Sequence, residues 1–410
     1  MQRRLTFGDA LTIGLAAMIG AGVFAVWGPA TQAAGTLLLP ALALAGLVAW
    51  CNASSSAQLA ARYPGAGGTY LYGRERLSPF WGYLAGWCFV IGKSASCAAM
   101  AMVVGAHLWP GHERLVAVLS VLALTLVTMG GITKSARVAR IIVAVVVLVL
   151  LATLALCWVY PPDPTLLPAG QAPEAPGARG VLQAAGLLFF AFAGYARVAT
   201  LGDAVVEPAR TIPRAIGWGI GLALSLYALV AVTLSSRLGT DALAGATAPL
   251  RALGEGISPS WGTILGLTAG LAALGSLWAL LLGVGRTLMA MGERRDLPRS
   301  LGVTVTTGTG EVVPRFAELL VAGAVVLLVL VADLRGAIGF SSFGVLLYYA
   351  VANASAFTLR REWRMGWVVP VVGLLGCLLL VLSLPLASVL GGGVLLAVGL
   401  LVWTQRSRWA

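Results

Sequence analysis

The stretch Met18-Ile19-Gly20-Ala21-Gly22-Val23-Phe24 lies inside the first long apolar run of the chain. An uninterrupted helix satisfies its own backbone hydrogen bonds, which is why lipid tolerates it. Two glycines one residue apart weaken such a helix, each by about 1 kcal/mol relative to Ala. A break at this point frees N–H groups at the start of the following half-helix, and these suit an anion. It also frees carbonyls at the end of the preceding half, around Ala16 and Ala17, and these suit an ammonium. The chemistry on offer is non-covalent capture of a small polar solute at membrane depth. The same glycines also suit close approach of two helices without any ligand.

A second interruption is expected at Phe189-Phe190-Ala191-Phe192-Ala193-Gly194-Tyr195. The candidate solute-binding set is therefore Ala17, Ile19, Gly20, Ala21, Gly22, Phe189, Phe192, Ala193, Gly194 and Tyr195. The aromatics either wall a side-chain pocket, gate it, or serve only as lipid-facing or core packing. Lys93 is about fourteen residues from either end of its apolar run, roughly 20 Å of helix at about 1.5 Å per residue. Its stem reaches about 6 Å, too short to snorkel to an interface. Lys93 is either a proton carrier or an amine tied to helix-end carbonyls. Arg197 follows the second interruption and either meets an anion or bridges a freed carbonyl; with Asp203 it is a candidate gate. His107 and His112 lack the clustered carboxylates or thiols of a zinc site. There is no HExxH, P-loop or GxSxG, so neither hydrolysis nor ATP-driven transport is supported, and no cofactor is implied.

These residues must be held by membrane-spanning helices. Of 410 residues, 59% are hydrophobic and 10% charged, with mean hydropathy +0.92, whereas a soluble domain carries about 25% charged residues. About twelve segments are long enough to cross an apolar core of about 30 Å: 8–32, 36–60, 79–106, 114–132, 138–159, 181–206, 213–235, 260–290, 316–332, 336–358, 367–384 and 387–403. Residues 239–258 carry no spanning signal and are expected to form short helices at the outer surface. The two interruptions fall in segments 1 and 6, the first members of two five-helix units of opposite orientation. Such pairing points to an inverted-repeat transporter. The units expected are 1–160 and 181–360, followed by a peripheral pair in 361–410.

The net charge of +12 is a matter of topology. With the N-terminus inside, 20 of the 27 Lys and Arg fall on the inner side, 5 on the outer side, and Lys93 and Arg197 within segments. The excess follows the positive-inside rule, puts both termini in the cytoplasm of a cell-membrane protein, and argues against nucleic acid as a partner. The five cysteines lie in or near apolar segments and read as buried thiols.

Five stretches, taken in order, resemble the amino acid–polyamine–organocation permeases, which share the leucine-transporter fold. They are Gly14 to Phe24, Arg62 to Tyr70, Phe190 to Tyr195, Glu207 to Ile216, and Ser341 to Tyr349. The resemblance implies an all-α membrane protein with ten core helices, helices 1 and 6 broken, plus two peripheral helices. It also implies amino acids or related amines as substrates. Some relatives carry a lysine in segment 5 where others bind sodium. Here segment 5 is apolar at that depth, and Lys93 is a possible substitute from segment 3. Gly275-Ser276 offers one hydroxyl where sodium-coupled members commonly have two, so Ser276 joins Lys93 as a coupling candidate. No acidic residue is evident in a segment core. Proton coupling or exchange is thus favoured over sodium. The expected function is a secondary amino acid carrier; a non-transporting membrane sensor or scaffold on the same fold is the alternative. A channel would need a continuous polar stripe that the sequence lacks.

Overall fold

The computed structural model describes residues 5–20, 22–63, 67–131, 136–160, 176–199, 205–307, 312–360 and 366–406. Ala21 and Asp203 lie outside the described residues, as does the side chain of Arg197. The protein is an all-α membrane protein. Its first pass is divided into α1 (Phe7–Met18), α2 (Gly22–Ala25) and α3 (Trp27–Ala34). Then come α4 (Leu38–Arg62), the short α5 (Thr69–Arg76), α6 (Pro79–Leu108), α7 (Glu113–Met129) and α8 (Ala136–Val159). The sixth pass is α9 (Ala178–Phe192), a 3-10 turn over Ala193–Tyr195, and α10 (Ala196–Ala199). The remainder is α11 (Pro208–Gly245), α12 (Pro249–Glu255), α13 (Pro259–Glu293), α14 (Arg315–Val331), α15 (Leu334–Phe357), α16 (Val368–Ser383) and α17 (Leu386–Thr404). The one sheet among the described residues is an antiparallel pair, Val305–Thr306 with Val312–Val313.

Among the described residues, nine helical runs are long and apolar enough to cross a membrane. The other three expected segments are α7, α14 and α16, with 17, 17 and 16 residues. The boundaries are set by residues that start helices well. Proline, whose missing N–H is no loss in a first turn, opens α6, α11, α12 and α13. Thr6 and Asp9 form a reciprocal capping box on α1. Asp333 caps α15 by accepting from Gly336 N at 2.8 Å. One boundary departs from expectation. The seventh helix continues past 235 to Gly245, because Gly239 takes φ 73° and lets the chain re-enter a helix after a kink.

Two packed groups position the site. The broken first helix packs with α4, α9 and α11, while α6 packs with α7, α13, α14 and α15. α15 lies against both groups, touching α4 and α9 as well as α6. α6 and α15 are buried over most of their length; α8 and α17 are mostly exposed, as lipid-facing helices must be. All five cysteines are free and buried.

Candidate functional site

α1 stops at Met18, and Ile19 N donates back to Leu15 O at 2.7 Å. The carbonyls of Ala16, Ala17 and Met18 are thereby left beyond the last turn's own bonds. The chain resumes at Gly22, and Val26 N on Gly22 O (3.3 Å) carries α2 into α3 as one half-helix. The second break is the 3-10 turn at Ala193–Tyr195. Both interruptions therefore fall where the glycines placed them.

The two breaks touch. A Cβ built on Gly194 would lie 2.3 Å from the Ala17 carbonyl carbon and 2.5 Å from Met18 N. One on Gly22 would lie 2.8 Å from Ala191 Cα, and one on Gly20 would lie 1.8 Å from Ser276 Oγ. Each glycine is thus a point where another backbone or a serine takes the side chain's place. Ile19, Gly20 and Ser276 line a small cleft with Ala16, Ala272 and the α8 residues Ile142, Val143 and Val146. It has room for about 10 Å³, close to one water. The α8 wall is apolar, as expected for segment 5. Lys93 does not line this cleft. A buried amine bonds the carbonyl its helix faces, and α6 faces the second break.

Lys93 is 5% exposed, and its Nζ donates to Ala193 O at 3.1 Å. The Tyr349 hydroxyl also donates to this carbonyl, at 3.4 Å. Tyr349 stacks on Tyr195 with ring centroids 4.8 Å apart and meets the edge of Phe189 at 5.8 Å. Phe189, Phe192 and Tyr195 are fully buried. They pack inside the protein, against the alternative of a lipid-facing role. The backbone of Arg197 is in α10.

Two residues escaped the sequence reading. Tyr227 on α11 donates to Met18 O at 2.6 Å and approaches Ala191 O at 3.0 Å, so it spans both breaks. A lone tyrosine in an apolar span was the available signal, since a buried phenol needs a partner. The second is Glu318, in the first turn of α14. It is 5% exposed and accepts from Thr128 Oγ1 at 2.9 Å. Glu318 stands at the end of its segment, so the expectation of no acid in a segment core is untouched; what the sequence did not show is that this end residue is buried.

Polar clusters flank the breaks on either side. At the start of α15, Arg335 donates to Gln32 of α3 and to Gln183 of α9 (3.5 Å). At the end of α13, Asp296 accepts from Arg74 and from the Tyr70 hydroxyl, both at 2.6 Å. Burial, then the bond to Asp296, raises the Tyr70 hydroxyl above its ordinary range. α1 is tied to α8 by Asp9–Arg140 at 2.5 Å. Among the described residues no cluster of His, Cys, Asp and Glu could hold a metal.

A family model described as amino acid permease matches residues 5–400. An uncharacterized transporter of Mycobacterium tuberculosis strain H37Rv is 53% identical over 414 residues, covering 99% of this chain and 92% of its own length. The branched-chain amino acid permease BcaP of Bacillus subtilis is 26% identical over 447 residues, covering 100% and 94%. The chloroplastic cationic amino acid transporter 7 of Arabidopsis thaliana is 28% identical over 402 residues, covering 90% and 67%.

Proposed function

The chain belongs to the amino acid permease family, and on that premise we propose that it is a secondary carrier that moves an amino acid by alternating access. The observation that carries this is the meeting of the two helix breaks, with Gly194 against Ala17 and Met18. In this proposal the backbone N–H groups from Gly20 to Gly22 receive the substrate carboxylate. The carbonyls of Ala17 and Ala193 receive its ammonium. Ile19, Phe189, Phe192 and Tyr195 wall the side chain. Arg197 and Asp203 gate the path. The substrate side chain bears no positive charge. Lys93 already stands at the second break, and the buried carboxylates among the described residues, Asp296 and Glu318, are bonded elsewhere.

Lys93 is the coupling residue in this proposal. It sits on α6, whereas its acceptor Ala193 belongs to the broken sixth pass, so its bond crosses between the two packed groups. Rocking of one group against the other stretches that bond and admits water to the amine. An amine alternately buried and wetted can release and regain a proton. Sodium is the less favoured ion: the cleft beside Ser276 offers one side-chain hydroxyl and an apolar α8 wall. The five-helix units are 1–160 and 181–360, with 361–410 peripheral, in a cell membrane with both termini cytoplasmic.

The test is uptake into proteoliposomes under imposed pH or sodium gradients, using the amino acid that most raises the protein's melting temperature. The parent is expected to respond to pH and not to sodium. Lys93→Ala should lose the pH response. Lys93→Arg should fail to accumulate substrate, since guanidinium stays charged. Uptake driven by sodium alone, or full pH dependence in Lys93→Ala, refutes the coupling role.

A further inference from the structure

We infer that Tyr227 is a positioning residue that fixes the spacing of the two helix breaks and so sets substrate affinity; this rests on the carrier function proposed above. Its side chain is fully buried on α11. The phenol oxygen is 2.6 Å from Met18 O, the last carbonyl of α1, and 3.0 Å from Ala191 O, near the end of α9. One atom therefore bridges the ends of both half-helices. The ring is clamped edge-to-face by Phe192 at 5.0 Å and Trp27 at 6.2 Å. Trp27 in turn donates its indole N–H to Val23 O at 2.6 Å, which ties the ring clamp to α2. Tyr227 thus bonds the ends of α1 and α9 directly and reaches α2 through Trp27.

The arrangement differs in kind from that of Lys93. α11 packs in the same group as both broken helices, so the Tyr227 bonds travel with them. The Lys93 bond crosses groups and must change as they move. A phenol carries one proton and can fully satisfy only one of two carbonyls. Without that proton, two carbonyl oxygens face each other across a buried gap with no donor, and the breaks part. Leaving buried acceptors unsatisfied typically weakens the state that needs them by a factor of about 5 to 150.

Tyr227→Phe keeps the ring clamp and removes the proton. Tyr227→4-aminophenylalanine, introduced by amber suppression, keeps the ring and supplies two N–H donors at the same place. The readouts are KM and Vmax in proteoliposomes, the substrate concentration giving half the maximal thermal shift, and the melting temperature without substrate. In Tyr227→Phe, KM and the thermal-shift midpoint are expected to rise about tenfold to a hundredfold. Its ligand-free melting temperature should stay near the parent's. The amino variant should return KM to within threefold of the parent. A merely structural tyrosine would lower the melting temperature and leave KM alone. KM within twofold of the parent in Tyr227→Phe, or an amino variant no better than Phe, overturns the assignment. If Tyr227→Phe is not recovered folded, the hydroxyl is required for folding itself and the assignment is overturned. A parent that binds none of the twenty amino acids removes the carrier function and this role with it. A binding parent with an unchanged Tyr227→Phe removes this role only.

Discussion

Gly194→Ala is the most demanding test of the two-break site. The added Cβ would stand 2.3 Å from the Ala17 carbonyl carbon, 2.4 Å from its oxygen and 2.5 Å from Met18 N. All three are backbone atoms, so no rotamer change relieves the contact. Ordinary contact begins at 3.4 Å, so the breaks must separate by about 1 Å, the difference between 3.4 and 2.3 Å. Overpacking of this sort costs about 1–3 kcal/mol. If the whole strain falls on the binding-competent arrangement, substrate affinity drops about 5- to 150-fold. The displacement also reaches Ala193, whose carbonyl holds Lys93, so coupling should slip as well as binding. Gly217→Ala on α11 is the control, because nothing lies within 4 Å of its added Cβ. Alanine there should be neutral or slightly stabilising, since glycine is the poorer helix former by about 1 kcal/mol. Uptake kinetics and ligand-induced thermal shift would be measured for both variants. A Gly194→Ala protein with KM and Vmax within twofold of the parent would refute the claim that the breaks must touch for binding.

The clash at Gly20 is of a different type and gives a different expectation. Its added Cβ meets Ser276 Oγ at 1.8 Å, a side chain that can be removed, so Gly20→Ala should impair uptake and Gly20→Ala with Ser276→Gly should recover most of it. Failure of the double variant to exceed the single one would show that the Gly20–Ser276 contact is not what limits Gly20→Ala. The inner positions Arg74, Lys134, Arg294 and Arg361, replaced singly by cysteine in a background lacking the five buried native cysteines, should resist an impermeant maleimide in intact cells; ready labelling at any of them contradicts the proposed orientation.

Much of the site's behaviour follows from which contacts cross between packed groups. Ser96 and Ser341 bond at 2.6 Å within the group formed by α6 and α15. Tyr227 bonds within the other group. Lys93 to Ala193, and Arg335 to Gln32 and Gln183, link different packed elements across the breaks. Contacts of the first type hold a shape, and contacts of the second type are remade when that shape changes.

The sequence by itself determined the class of the protein, its long apolar helices and the position of both helix breaks. These are local quantities. About twenty apolar residues must span the bilayer core, prolines and capping residues mark helix starts, and paired glycines weaken a helix wherever it runs. The tertiary structure alone decided which atoms the breaks meet. Lys93 could be placed at mid-span from sequence, but its acceptor lies 100 residues away on another helix. Gly194 and Gly217 look alike in sequence, yet one is pressed on backbone and the other faces open space. Tyr227 was lost among apolar neighbours because hydropathy records a segment's mean, not the direction of one side chain. That direction is set by the rotation of each helix about its axis, and the rotation is fixed only when all the helices pack together.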